Sequence, residues 1–180
     1  SSDAGAEKAK VLIWYGSETG NAERLARLAG TILGGVAEVC GVPQSPSLGL
    51  LAGRAALLLV LATWGDGEPS NDALAFFNWL ERCGKQHGDI PTVAVYGVGS
   101  SLWPQFNAAA RRASQLLSTA GFPCLADKGE GDAAKPDLDE QFLSWLNQML
   151  MPSLEACGVS ALAGIPCTIH PVLRDDHAVP

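Results

Sequence analysis

No apolar stretch in this chain approaches the ~18 residues that a membrane-spanning helix needs. The longest run, at 55–62, is short enough to be a buried strand. The first ten residues are small, polar and charged and lack the apolar stretch of a secretory signal; residues 1–9 are expected to be an exposed leader or a linker. Cations are scarce, with 12 Lys and Arg against 19 Asp and Glu and a formal net charge of −7. The only adjacent basic pair is Arg111-Arg112. No basic patch of the nucleic-acid-binding kind is present, so no nucleic-acid partner is expected. An acidic surface suits a basic partner protein. The five cysteines are an odd number and none stands in a C-x-x-C. A disulfide framework and a zinc site are therefore not expected, and reduced thiols fit an intracellular chain. The three histidines, His87, His170 and His177, lack ligand-type spacing, so no metal is expected. No internal repeat is visible.

What is present is an alternation of two apolar periods. Residues 11–15 read as a buried strand. Ala22, Leu25, Ala26, Ala29, Ile32 and Leu33 then recur at helical spacing, and Gly34-Gly35 closes that helix. Residues 36–40 make a second strand, and 41–53 are rich in loop formers. The run at 55–62 is apolar on both sides, as a central parallel strand is. A second helix carries Ala73, Phe76, Phe77 and Leu80, with Ser70 or Asn71 as its cap. A fourth strand follows at 92–96. Phe106, Ala109, Ala110, Ala113 and Leu117 mark a third helix, and 122–126 a fifth strand. Leu138, Phe142, Trp145, Leu146 and Met149 mark a fourth helix. Pro152 is expected to interrupt it, with one further turn at 154–157. Residues 158–180 have no helical period and read as a linker or tail. Such alternation predicts an α/β domain over 10–157. Right-handed crossovers make it doubly wound. Ligands then bind beyond the carboxyl ends of the strands, where the strand order reverses.

Three loops are expected at that edge. The first is Gly-Ser-Glu-Thr-Gly-Asn-Ala-Glu at 16–23, between a strand and a helix. It offers the hydroxyls of Ser17 and Thr19, the amide of Asn21 and a pliable Gly20. The backbone N–H groups that open a helix are unpaired and carry partial positive charge, which makes a phosphate cradle. No Lys or Arg lies within it, so a monophosphate held by neutral donors fits better than a triphosphate. The second loop is Thr-Trp-Gly-Asp-Gly-Glu-Pro-Ser-Asn at 63–71. The third is Gly-Val-Gly-Ser-Ser-Leu-Trp-Pro-Gln-Phe-Asn at 97–107. Each combines glycines with one tryptophan, Trp64 or Trp103. A tryptophan in a polar loop is well used when it stacks on a planar ring.

These loops, taken in order, resemble the flavodoxins, and more closely the FMN domains of the diflavin reductases. Ser17-x-Thr-Gly-x-Ala-Glu23 is similar to the family's phosphate loop, and the stretches at 62–73 and 97–107 are similar to its second and third FMN loops. Lys-Gly-Glu-Gly-Asp at 128–132 resembles the last characteristic segment of that family, and the stretch at 149–158 is similar to the exit helix of the microsomal NADPH–cytochrome reductases. The resemblance covers 10–158 and implies a five-stranded parallel sheet, order 2-1-3-4-5, with helices on both faces. Flavodoxin is one of the folds from which the rule on site location was drawn.

The resemblance implies that Ser17, Glu18, Thr19, Gly20, Asn21 and Ala22 hold the phosphate of FMN. Trp64 and Trp103 would flank the ring where the family usually has tyrosines. Ala62, Thr63, Gly65, Asp66 and Gly67 would line one edge. Gly97, Val98, Gly99, Phe106 and Asn107 would shape the rest, with Asp132 near the ring. Ser100-Ser-Leu102 replaces a more polar stretch. Asp66, Glu68, Glu130 and Asp132 would oppose negative charge on the cofactor and lower its potential. No residue is assigned a catalytic role, because the redox chemistry belongs to the cofactor. The implied activity is electron transfer. An FAD/NADPH reductase module outside this chain would supply electrons, and a haem protein or other redox centre would accept them singly. Localisation would be cytoplasmic or on the cytosolic side of a membrane, with no membrane contact from this segment. Other readings are a free-standing flavodoxin carrier, an FMN-dependent NAD(P)H:quinone oxidoreductase, a flavodoxin-like module of a radical tRNA-modifying enzyme, and a flavin-free interaction module.

Overall fold

The computed structural model describes residues 8–160. Most of the leader expected at 1–9 and of the tail expected at 158–180 lies outside the described residues. Six strands and five α-helices follow one another: β1 (Val11–Gly16), α1 (Asn21–Leu33), β2 (Ala37–Gly41), β3 (Ala56–Trp64), β4 (Glu68–Pro69), α2 (Leu74–Arg82), β5 (Thr92–Gly99), α3 (Ala108–Thr119), β6 (Gly129–Asp132), α4 (Leu138–Trp145) and α5 (Met151–Ala156). Five strands run parallel in the order β2-β1-β3-β5-β6. This is the expected doubly wound order. The remaining strand, β4, folds back antiparallel on Thr63 and Trp64.

Alternation along the strands separates two cores. Val11 and Ile13 of β1 pack with α1, α4 and α5 on one face. Leu12 and Trp14 pack with α2 and α3 on the other. Helix α1 buries Ala22, Leu25, Ala26, Ala29 and Leu33 of the stripe its spacing predicted, while Ile32, expected in the same stripe, is half-buried at its edge. The middle of β3 is buried throughout, because helices cover both of its sides.

Several boundaries differ from expectation. Strands β3 and β5 continue past residues 62 and 96, to Trp64 and Gly99, so Gly97, Val98 and Gly99 are strand rather than loop. A 3-10 turn, Asn71–Ala73, precedes α2, and no side chain caps it. Helix α3 opens at Ala108, after Phe106.

The fifth parallel strand is not at 122–126. That segment makes a single bridge, Cys124 with Val93. Pro123 has no N–H to give a ladder. The regular strand is β6, where Gly129 lies beside Tyr96; a Cβ there would sit 2.4 Å from the Tyr96 ring. The missing side chain admits that ring, which packs against Phe142 and Trp145. Burial pushes the Tyr96 phenol up to about 12.

Pro152 does not end the last helix. A π-helical turn, Leu146–Leu150, joins α4 to α5, and Pro152 falls in the first turn of α5, where no N–H is needed. Gly158, at φ 78°, then closes α5, with the N–H of Val159 donating to Leu154 O at 3.0 Å. Val159 is itself buried, so the packed unit includes it.

Candidate functional site

The carboxyl ends of β1, β3 and β5 stand side by side, and the chain goes from β1 to β2 on one side and then crosses back to β3 on the other. A cleft of about 330 Å³ opens there. Its walls are Glu18, Thr19 and Asn21 of the first loop; Ala62, Thr63, Trp64 and Gly65 of the second; and Val98, Gly99, Ser100, Trp103 and Gln105 of the third, with Ala133. The volume falls within the range of small-ligand sites, about 300–1,000 Å³.

The first loop forms a cradle. Gly20, at φ 95°, turns the chain into α1, a conformation that side chains other than glycine's rarely tolerate. Its N–H donates to Ser17 Oγ at 3.0 Å, and Arg24 N–H donates back to Gly20 O at 3.0 Å. Among the described residues, nothing accepts from the N–H groups of Thr19, Asn21, Ala22 or Glu23. These orphan donors open a 13-residue helix and point a partial positive charge outward. Cations are close but engaged: Arg24 pairs with Asp139 and lies 3.4 Å from Asn21 Oδ1.

Two clasps fix the cradle against the second loop. Asp72 Oδ2 accepts from Ser17 N–H at 3.1 Å, and Glu18 Oε2 accepts from Asn71 N–H at 3.2 Å. Thr63 Oγ1 accepts from Ala109 N–H at 3.1 Å, which ties the end of β3 to the start of α3.

Trp64 is 50% exposed and Trp103 is 64% exposed, although both line the cleft. Among the described residues neither ring pairs with another aromatic ring. Apolar surface left in water costs about 25 cal/mol per Å² relative to burial. Covering either indole with a flat ligand recovers that.

The other expected residues lie behind or beside the walls. Ala22 is in the core. Asp66 is exposed in the turn before β4, and Gly67 packs on Gln105 and Ala108. Gly97 contacts Asn107 and Ala110. Phe106 lies under Arg111. Asn107 is buried at φ 53° and donates to Gly131 O at 3.1 Å. Asp132 accepts from Ser101 N–H at 2.9 Å and from Ala134 N–H at 3.0 Å, and the Ser101 side chain first, then its N–H, holds the carboxyl below the usual range. It is a strut of the third loop.

Glu130 departs from expectation. Arg111 binds it with two bonds, at 2.6 and 2.9 Å, and Lys128 adds a third contact at 3.0 Å. The Arg111 bonds hold its carboxyl at about 2. Its charge is therefore matched locally, whereas among the described residues no ion pair forms at Asp66 or Glu68, beside Trp64.

Ser100, Gln105, Ala133 and Asp72 complete the site without having been singled out. Ser100 and Gln105 lay in the third loop's motif. Ala133 is reached only because β6 pairs with β5, its N–H donating to Gly99 O at 2.7 Å.

Comparison with known proteins agrees with this geometry. The flavodoxin family model matches residues 13–145. The NADPH–cytochrome P450 reductase of Oryctolagus cuniculus is 29% identical over 160 residues, covering 84% of this chain and 23% of that protein. That of Candida tropicalis is 32% identical over 143 residues, covering 75% and 21%. The chain thus spans under a quarter of the length of these curated relatives. Flavodoxin 1 from Bacillus cereus superposes with a TM-score of 0.63 at 22% identity, covering 75% of this chain and 92% of its own. The flavodoxin of Streptococcus pneumoniae TIGR4 gives 0.63 at 19%, covering 77% and 95%. The fold, the ordered loops and the family match converge: the chain belongs to the flavodoxin family, and its similar curated relatives are oxidoreductases, the NADPH–cytochrome P450 reductases.

Proposed function

We propose that this domain binds FMN in the cleft and relays electrons singly. The donor would be an FAD- and NADPH-binding reductase module outside this chain, and the acceptor a haem protein or another redox centre. One observation carries the reading: an anion cradle without lysine or arginine side chains and two exposed indoles open onto the same cleft. A ligand with a phosphate at one end and a flat apolar ring at the other satisfies both. The relatives' length supports a separate reductase module, since this chain matches about 23% of proteins named NADPH–cytochrome P450 reductase.

Each part of the site then has a physical task. The N–H groups of Thr19, Asn21, Ala22 and Glu23 hold the phosphate, with the hydroxyls of Ser17 and Thr19 beside them. Trp64 and Trp103 bury the ring faces and exclude water from them. Val98 and Gly99, fixed in β5, and Gly65 after β3 shape the floor and edge. Bound flavin supplies one- and two-electron redox chemistry. Asp66 and Glu68 oppose added negative charge near the ring, which favours a low potential. The exposure of both indoles keeps a redox centre between them close to a docking partner.

The test is reconstitution with FMN followed by anaerobic mixing. NADPH alone is expected to leave the flavin absorbance unchanged. An FAD-containing NADPH reductase module should bleach it, and a haem acceptor should restore it. Direct bleaching by NADPH with quinone turnover would favour the quinone oxidoreductase instead.

A further inference from the structure

We infer that Asp72 is a specificity-determining residue that weakens the hold of the first loop on phosphate. It thereby sets how tightly the domain keeps a phosphorylated flavin relative to an unphosphorylated one. This rests on the FMN reading and concerns a residue outside the cleft wall.

Asp72 belongs to the 3-10 turn that precedes α2 and is half-buried. Both of its oxygens are engaged. Oδ2 accepts from Ser17 N–H at 3.1 Å, and Oδ1 accepts from the hydroxyl of Ser70, itself fully buried. The carboxylate is therefore immobilised on the first residue of the cradle. Two effects follow, and both act against a bound anion. The Ser17 N–H is spent on a protein carboxylate and is not offered to phosphate. A fixed negative charge also stands 3.1 Å from the Ser17 nitrogen, where the first loop begins, and charges of like sign repel. Arg24, on the first turn of α1, is already paired with Asp139. The other acid of the junction, Glu18, is directed to Asn71 N–H. A neutral asparagine there would still accept from Ser17 N–H through its amide oxygen, while its amide N–H would donate to Ser70 Oγ in place of accepting from that hydroxyl, so both contacts can persist without the charge.

The test compares FMN with riboflavin, which has the same ring and lacks the phosphate, on the purified chain and on Asp72→Asn. Asparagine keeps an acceptor for Ser17 N–H. FMN is expected to bind the variant about threefold to tenfold more tightly, the size of a Coulomb effect at a partly solvated site. Riboflavin affinity should stay within about twofold. The gain for FMN should shrink as salt is raised from low concentration to about 0.5 M, because screening removes the repulsion. A role limited to bracing the loop would move both ligands together and would not respond to salt; either result overturns the inference. So does weaker FMN binding by the variant. Should Asp72→Asn fail to fold, Asp72→Ser carries the same comparison. If the unaltered chain binds riboflavin as tightly as FMN, the cradle reading fails first. If it prefers FMN and the variant gains nothing, the failure belongs to Asp72 alone.

Discussion

At the first loop the cleft offers backbone N–H groups and few side chains; at the second and third it offers two indoles standing half or more in water. On the proposed reading the first end would recognise charge and depends on how the main chain is turned. The other would recognise a flat apolar surface and depends on side chains that the main chain merely displays. Damage at one end should therefore be readable separately from damage at the other. FMN and riboflavin are the two ligands that separate them.

The largest expected effect is at the indoles. Trp64→Ala should weaken FMN and riboflavin alike, by about tenfold to a hundredfold, since stacking of a flat base on an aromatic side chain is worth about 1–3 kcal/mol. Parallel titrations of both ligands check this, and a loss confined to FMN would break the division. Next is Gly20→Ala, which forces a side chain into the left-handed region at a cost of about 1–2 kcal/mol. FMN affinity should fall about tenfold, and riboflavin affinity much less. A smaller effect is expected at Leu102, which is 80% exposed beside Trp103 and outside the cleft wall. Leu102→Ser should leave both affinities within about twofold while slowing electron delivery to an acceptor, as stopped-flow mixing would show.

The smallest effect lies away from the cleft. Glu130→Gln should cost about 0.5–1 kcal/mol at neutral pH, because Arg111 is half-exposed and solvent screens the pair. Glu130 has a depressed value in the folded chain, about 2, against about 4.3 when unfolded. Its stabilisation is thus complete above the unfolded value and is lost as pH falls toward about 2. Urea melts of both proteins between pH 6 and 2 should converge at the acid end, and flavin affinity should not change.

The sequence made the central strands and four helices legible because their apolar periods are strong. Helix α1 shows its buried stripe residue by residue, and β3 its two-sided apolarity. The last strand was hidden because its residues, Gly-Glu-Gly-Asp, have no apolar alternation; what places them is the Tyr96 ring, far away in sequence. The π turn before Pro152 was equally hidden, since nothing local announces how a helix will absorb a missing N–H. In the site, the loop glycines and both tryptophans were legible as types in order. Asp72 was not, because its role lies in a bond across 55 residues to Ser17. Glu130 could be seen as an acid but not as one already claimed by Arg111.

Flavin titration monitored by tryptophan fluorescence tests the central claim most directly. Trp14 and Trp145 are buried in the cores, whereas Trp64 and Trp103 face the cleft. FMN should bind one to one and quench the emission, and the Trp64→Phe, Trp103→Phe double variant should lose the share of that quenching owed to these two rings while its remaining tryptophans are still quenched at a distance. Emission unchanged by saturating FMN, or an absolute loss of emission as large in the double variant as in the unaltered chain, would contradict the proposed placement of the ring between these two residues.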